Sequence, residues 1–289
     1  MMEKPTSLRV IKNALAREGL APRKSLGQNF LCDANIPNKI VAAGAVEKTD
    51  LVLEIGPGLG VLTSILIEQA GMVIAVEYDR GLFRILQENL ATVPNLRLIN
   101  QDFLQVDLWS LLEPLRNDFP VFKVIANLPY YITTPVLFKL VESGLHWGGM
   151  VFLIQKEVAE RLCAGPGSDA YGAVTVMINF FGTVEKVAMV PRTVFYPVPQ
   201  VDSAAIRITP HPGPTELYPS LHRVVQAAFG QRRKTILNAL FAGGILLGSN
   251  EKSELAVSLR DLGIDPERRG ETLALEEFIK IARIAAMAP

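Results

Sequence analysis

From residue 51 onwards, short apolar runs alternate with amphipathic stretches. Runs at 51–55, 72–76, 96–99, 121–126 and 150–154 are rich in Val, Ile and Leu and are too short for buried helices, so they read as strands. Helical periodicity lies between them, for example at 62–69 and 81–90. Strands that alternate with helices at this spacing predict a parallel sheet covered on both faces. Residues 184–190 and 204–209 read as later strands able to form an antiparallel edge, whereas 173–181 (AVTVMINFF) fits strand and helix equally. The Pro-rich stretch His211-Pro212-Gly213-Pro214 marks a linker, and residues 217–289 carry helical patterns only. The expected organisation is an α/β domain over residues 1–209 and a small all-helical domain over 210–289.

Composition changes this picture little. Hydrophobic residues make up 49% and charged residues 20%, enough apolar material for a sizeable core. Lys and Arg balance Asp and Glu at 29 each, so net charge does not announce a nucleic-acid partner. The balance hides segregation. Lys4, Arg9, Lys12, Arg17, Arg23 and Lys24 face one acid, Glu18, near the N-terminus, and Arg232-Arg233-Lys234 form a second basic cluster. Either cluster alone also reads as solvated surface. Cys32 and Cys163 are far apart and lack a nearby His or Cys partner, which argues against a zinc site or a disulfide framework and suits a reducing cytoplasm. No apolar signal core and no stretch long enough to span a bilayer is expected.

The sharpest local signal is Leu53-Glu54-Ile55-Gly56-Pro57-Gly58-Leu59-Gly60, after a strand and before a helix. Its glycines fall in the order G-x-G-x-G, with Val61 where a dinucleotide fingerprint would need its last glycine. That pattern suits a nucleoside over the turn, although a plain tight strand-to-helix turn would also use it. Glu77 ends the second strand and Asp102 follows the third. Acids there suit ribose hydroxyls and an adenine amine, because ligands of open α/β sheets bind beyond the carboxyl ends of the strands.

The fourth strand runs into Asn127-Leu128-Pro129-Tyr130. The Asn127 side-chain oxygen and the Leu128 carbonyl are two acceptors able to hold both N–H bonds of an exocyclic amine. Pro129 offers no N–H and keeps Leu128 out of the helical region. Tyr130 supplies a flat ring on which a base can stack, and Phe195 is a candidate for its other face. Phe195 reads equally as core packing. Two acceptors reject a base that presents a carbonyl, yet cytosine, which also carries an amine, stays open.

These residues, together with Lys24–Leu31, Phe195–Ser203, Phe229–Thr235 and Arg269–Leu273, resemble the ribosomal RNA adenine N6-dimethyltransferases over about residues 21–282. The resemblance is strongest to the bacterial enzymes of the small subunit. It implies a seven-stranded, Rossmann-like class I methyltransferase sheet, a C-terminal helical RNA-binding domain and a helix at 173–181. S-adenosyl-L-methionine is the implied methyl donor, leaving S-adenosyl-L-homocysteine. Cofactor contacts are implied at Asn29, Leu31, Gly56, Glu77, Asp102 and Asn127. Asn127 and Leu128 would orient the amine, with Tyr130 and Phe195 flanking the base. The implied reaction is N6-dimethylation of two adjacent adenines in the 3′-terminal hairpin loop of 16S rRNA, on an immature small subunit in the cytoplasm, by a monomer. The rivals are a large-subunit enzyme of the antibiotic-resistance type, which shares the catalytic core, and a non-catalytic RNA-binding assembly factor.

Overall fold

The structure is a computed structural model that describes residues 7–23, 26–211, 215–231, 233–245 and 251–287. Lys4, Lys24, Arg232 and the Pro212–Pro214 linker expected from the sequence lie outside the described residues. Among the described residues nine strands form, in chain order β1 (Phe30–Leu31), β2 (Asp50–Ile55), β3 (Met72–Glu77), β4 (Leu96–Asn100), β5 (Val121–Asn127), β6 (Trp147–Gln155), β7 (Gly182–Val190), β8 (Phe195–Tyr196) and β9 (Ser203–Pro210). Seven of them make one sheet in the order β4-β3-β2-β5-β6-β9-β7, and β1 pairs with β8 apart from it.

The expected parallel core is present. β2 pairs in parallel with β3 on one side and β5 on the other, β3 with β4, and β5 with β6. The later strands form the expected antiparallel edge, with β9 running against β6 from Ser203 opposite Gln155 to Ile208 opposite Met150. Every residue of β2 is buried, because a central parallel strand is covered on both faces. Pairing in register brings the carboxyl ends of β2, β3, β4 and β5 to one edge, and the chain order reverses direction across the sheet at β2. Ligands of such sheets bind in the crevice outside this switch point.

The chain forms two compact units, Met1–Ala159 with Val184–Pro210, and Glu160–Thr183 with His211–Pro289. The expected single cut at residue 209 therefore misses an excursion: residues 160–183 belong with the C-terminal helices. The ambiguous 173–181 segment is a helix (Ala173–Phe181), and its β-branched residues are overruled by burial of Val176, Met177, Ile178 and Phe180. Asn179 donates to the Leu162 carbonyl at 3.0 Å and Thr175 to the Arg161 carbonyl at 2.7 Å, tying the helix to the end of the preceding helix. Within the same unit, Phe229 packs between Tyr171 and Phe278, and Tyr171 donates to the Leu273 carbonyl at 2.9 Å. Among the described residues, no helix is long and apolar enough to cross a membrane.

Candidate active site

A cavity of about 390 Å³ opens at the carboxyl edge of the sheet. Asn29, Leu31, Gly56, Glu77, Asp102, Asn127, Leu128 and Tyr130, all singled out from the sequence, line it together. Phe195 does not. Its ring is 3% exposed and packs in the core with Leu31, Ile40 and Val190, while its backbone pairs with Leu31 in the β1–β8 ladder. Its surroundings are those of a core residue, next to Leu31 of the cavity wall.

The glycine loop forms one wall. Gly56, Gly58 and Gly60 have φ of +65°, +62° and +83°, the left-handed region that side chains strain to adopt. A Cβ on Gly60 would also meet Leu86 at 2.9 Å, so this glycine lets the helix Arg80–Leu90 pack against the loop. Glu77 reaches this loop from the end of β3. One carboxylate oxygen accepts from the Gly58 amide at 3.0 Å and the other from the Asp79 amide at 2.8 Å. Burial pushes its carboxyl up to about 7, against these two amides, which favour the charged form. Asp102 accepts from the Leu104 amide at 2.9 Å and so is fixed at the start of a short 3-10 turn.

Glu54 was not assigned a role in the sequence. It is 1% exposed, lines the cavity, and its Oε2 has no hydrogen-bond partner. Burial pushes its carboxyl up to about 8; nearby Thr63 opposes the rise, yet neither the Thr63 hydroxyl nor Oε2 completes a hydrogen bond. Glu54, Glu77 and Asp102 put three carboxyl groups on a wall that has no Lys, Arg or His among the described residues. Such a cavity offers a pyrophosphate no cation to pair with and suits a ligand that brings donor groups and tolerates an acidic wall. The residues therefore fit a cationic nucleoside cofactor such as S-adenosyl-L-methionine better than a dinucleotide.

At the other end, the Asn127 amide nitrogen donates to the Asn29 carbonyl at 3.3 Å. That bond turns the amide oxygen away from Asn29 and leaves it as an acceptor. The Leu128 amide donates to the Leu153 carbonyl at 3.1 Å, anchoring the loop to β6, while no donor among the described residues reaches the Leu128 carbonyl. Pro129, at φ −56° and ψ 133°, keeps this carbonyl out of a helix ladder. The Tyr130 hydroxyl shares a 2.8 Å hydrogen bond with Ser203, a fully buried residue at the start of β9. Burial raises the Tyr130 hydroxyl pKa, so the group stays neutral and the ring is held at both ends. Ser203 was legible only as part of a loop motif. Tyr78 and Tyr131, 57% and 56% exposed, complete the rim and had no sequence signal.

A seven-stranded sheet with a glycine loop, acids at successive strand ends and two acceptors at the fourth defines a nucleoside-dependent methyltransferase of class I architecture. The profile of the family "Ribosomal RNA adenine dimethylase" matches residues 19–286, and the chain belongs to that family. It is 49% identical over 278 residues to the ribosomal RNA small subunit methyltransferase A of Moorella thermoacetica, covering 93% of this chain and 95% of the relative. Among solved structures, it resembles a dimethyladenosine transferase from Plasmodium falciparum with a TM-score of 0.74 and 26% identity, covering 87% of this chain and 95% of that one. The 23S rRNA methyltransferase ErmE shares the fold at a TM-score of 0.68 and 24% identity, covering 88% of this chain and 98% of that one.

Proposed function

We propose that this protein transfers methyl groups from S-adenosyl-L-methionine to the N6 amines of adjacent adenines in small-subunit ribosomal RNA, acting on the immature subunit in the cytoplasm as a monomer. The observation that carries the chemistry is the pair of open acceptors, the Asn127 amide oxygen and the Leu128 carbonyl, beside a wall of three carboxyl groups. The high identity to a small subunit methyltransferase A supports the choice of subunit, since the shared catalytic core is blind to it.

When bound, S-adenosyl-L-methionine supplies an activated methyl group on a sulfonium. Glu77 and Asp102 would hold the nucleoside, and Asn29, Leu31 and Gly56 would shape its bed. An adenine amine is a poor nucleophile because its lone pair is delocalised into the ring. Asn127 and Leu128 counter this by accepting both N–H bonds, which aims the lone pair at the methyl and supplies much of the rate through orientation. Tyr130, braced by Ser203, stacks on a base taken out of its loop. The amine proton leaves to solvent after attack, so no general base is assigned. Phe195 acts indirectly in this reading, by holding Leu31 in place. The helical unit is read as an RNA-binding unit, with exposed Arg233 and Lys234 beside the Thr235–Arg269 bridge offering phosphate contacts.

Purified small and large subunits, each lacking the modification, test this with labelled S-adenosyl-L-methionine. Label on the small subunit alone is expected. Label on the large subunit alone would favour the large-subunit enzyme, and none on either the non-catalytic factor.

A further inference from the structure

A second cavity of about 410 Å³ borders the first, with Tyr78 in the wall of both. Its wall holds three arginines, Arg23, Arg80 and Arg84, against one acid, Asp79. This reverses the charge of the neighbouring cavity. Asp79 is already saturated. It is 5% exposed, accepts from the Gly81 and Leu82 amides at 2.8 and 3.2 Å, and pairs with Arg23 at 3.2 Å. Gln28 donates at 3.3 Å to the same oxygen that Arg23 contacts, and the two amides take the other. The helix N-terminus at Arg80 is therefore capped by the protein itself and free to hold nothing else.

Arg80 and Arg84 are different. They stand one turn apart on the helix Arg80–Leu90, both exposed, and neither forms an ion pair among the described residues. Residues at i and i+4 lie on one face, so both guanidinium groups present their donors to the same opening. The charges on the cavity wall leave a surplus of two cations, one Arg being matched by Asp79. The N-terminal helix Leu8–Arg17, with exposed Arg9, Lys12 and Arg17, packs on the same element through Ile11 and Leu15 against Leu82 and Ile85. Basic surface thus continues past the cavity. A planar fork that donates two parallel hydrogen bonds matches a phosphodiester well.

We infer that Arg80 and Arg84 form a phosphate-binding subsite for the RNA strand that carries the target base. The inference rests on the RNA-methylating reading above and adds a backbone contact to it. The subsite lies beside the cofactor cavity, so it fixes the strand's position without reading its sequence.

The test is the affinity of the intact protein for a labelled small-subunit 3′-terminal hairpin, between about 50 and 200 mM salt. Arg80→Gln/Arg84→Gln is compared with Lys39→Gln/Arg97→Gln, which removes the same charge from residues lining neither cavity. The first pair should bind about 10–30-fold more weakly, with a salt slope shallower by about 0.7 to 1.4, at 0.7 for each of the one or two phosphates the two arginines neutralise. Its calorimetric affinity for S-adenosyl-L-methionine should stay at the wild-type value, which shows the fold intact. The second pair should keep the wild-type slope. Wild-type affinity and slope in the first pair, with methylation by the wild-type protein normal, overturn the subsite alone. An equal change in both pairs overturns it too. A wild-type protein that neither binds nor methylates this RNA overturns the functional reading and the subsite with it.

Discussion

The two ends of the methyltransferase cavity are built on opposite plans. At the acidic end the protein's own amides occupy Glu77 and Asp102 with bonds of 2.8 to 3.0 Å, fixing the carboxylates before any ligand arrives. At the Asn127–Tyr130 end the Leu128 amide, the Asn127 side chain and the Tyr130 hydroxyl are anchored from behind, by Leu153, Asn29 and Ser203, and the acceptors that face the cavity are left open. The first plan suits a ligand that binds and leaves unchanged in position. The second suits a group whose bonding changes in the reaction, since open acceptors can be spent on the transition state.

This contrast can be broken most sharply at Asn127. Asn127→Ala should lower kcat by about 10²–10³-fold, as loss of one oriented polar group in a preorganised site does. Its RNA affinity, read by fluorescence anisotropy, should stay unchanged. A variant with normal turnover would remove the orienting role. At the opposite end, Glu77→Ala should weaken S-adenosyl-L-methionine binding by about 10–100-fold in calorimetry, with RNA affinity unaltered. Tyr130→Ala should raise the KM for RNA by about 10-fold through lost stacking, whereas Tyr130→Phe, which loses only the bond to Ser203, should change it far less.

The smallest effect concerns pH. Burial raises Glu54 to about 8 and Glu77 to about 7, above the ordinary value of 4.5. The folded protein then binds more protons than the unfolded chain across that window. Stability of the ligand-free protein should fall as pH rises from about 4.5 to about 8, and be insensitive to these two groups below it. Glu54→Gln removes one buried ionisable group. It should raise the melting temperature by at least about 2–4 °C at pH 8 in scanning calorimetry, with the gain vanishing near pH 5. An equal gain at both pH values would mean that Glu54 does not titrate in this range.

The sheet was legible because its central strands are continuous apolar runs, and the acids could be placed because each follows such a run directly. What escaped depends on partners distant in the chain. β1 and β8 are two residues each and exist only by pairing Phe30–Leu31 with Phe195–Tyr196. The Ser203–Tyr130 bond spans 73 positions and the Asn127–Asn29 bond 98, so neither leaves a local pattern. The helix Ala173–Phe181 is apolar nearly all round, which erases the period that separates helix from strand. Its membership in the C-terminal unit was hidden for the same reason, since a linear reading cuts a chain once. Phe195 carried two compatible readings, and its burial against Leu31 and Ile40, far from it in the chain, leaves no local pattern.

The most direct test of the account is nucleoside mass spectrometry of unmodified small subunits incubated with this protein and S-adenosyl-L-methionine, beside the Asn127→Ala variant. The account predicts N6,N6-dimethyladenosine at adjacent adenines of the 3′-terminal hairpin with the wild-type protein and almost none with the variant. Methylation confined to another base, or to a ring nitrogen, or equal with both proteins, would contradict it.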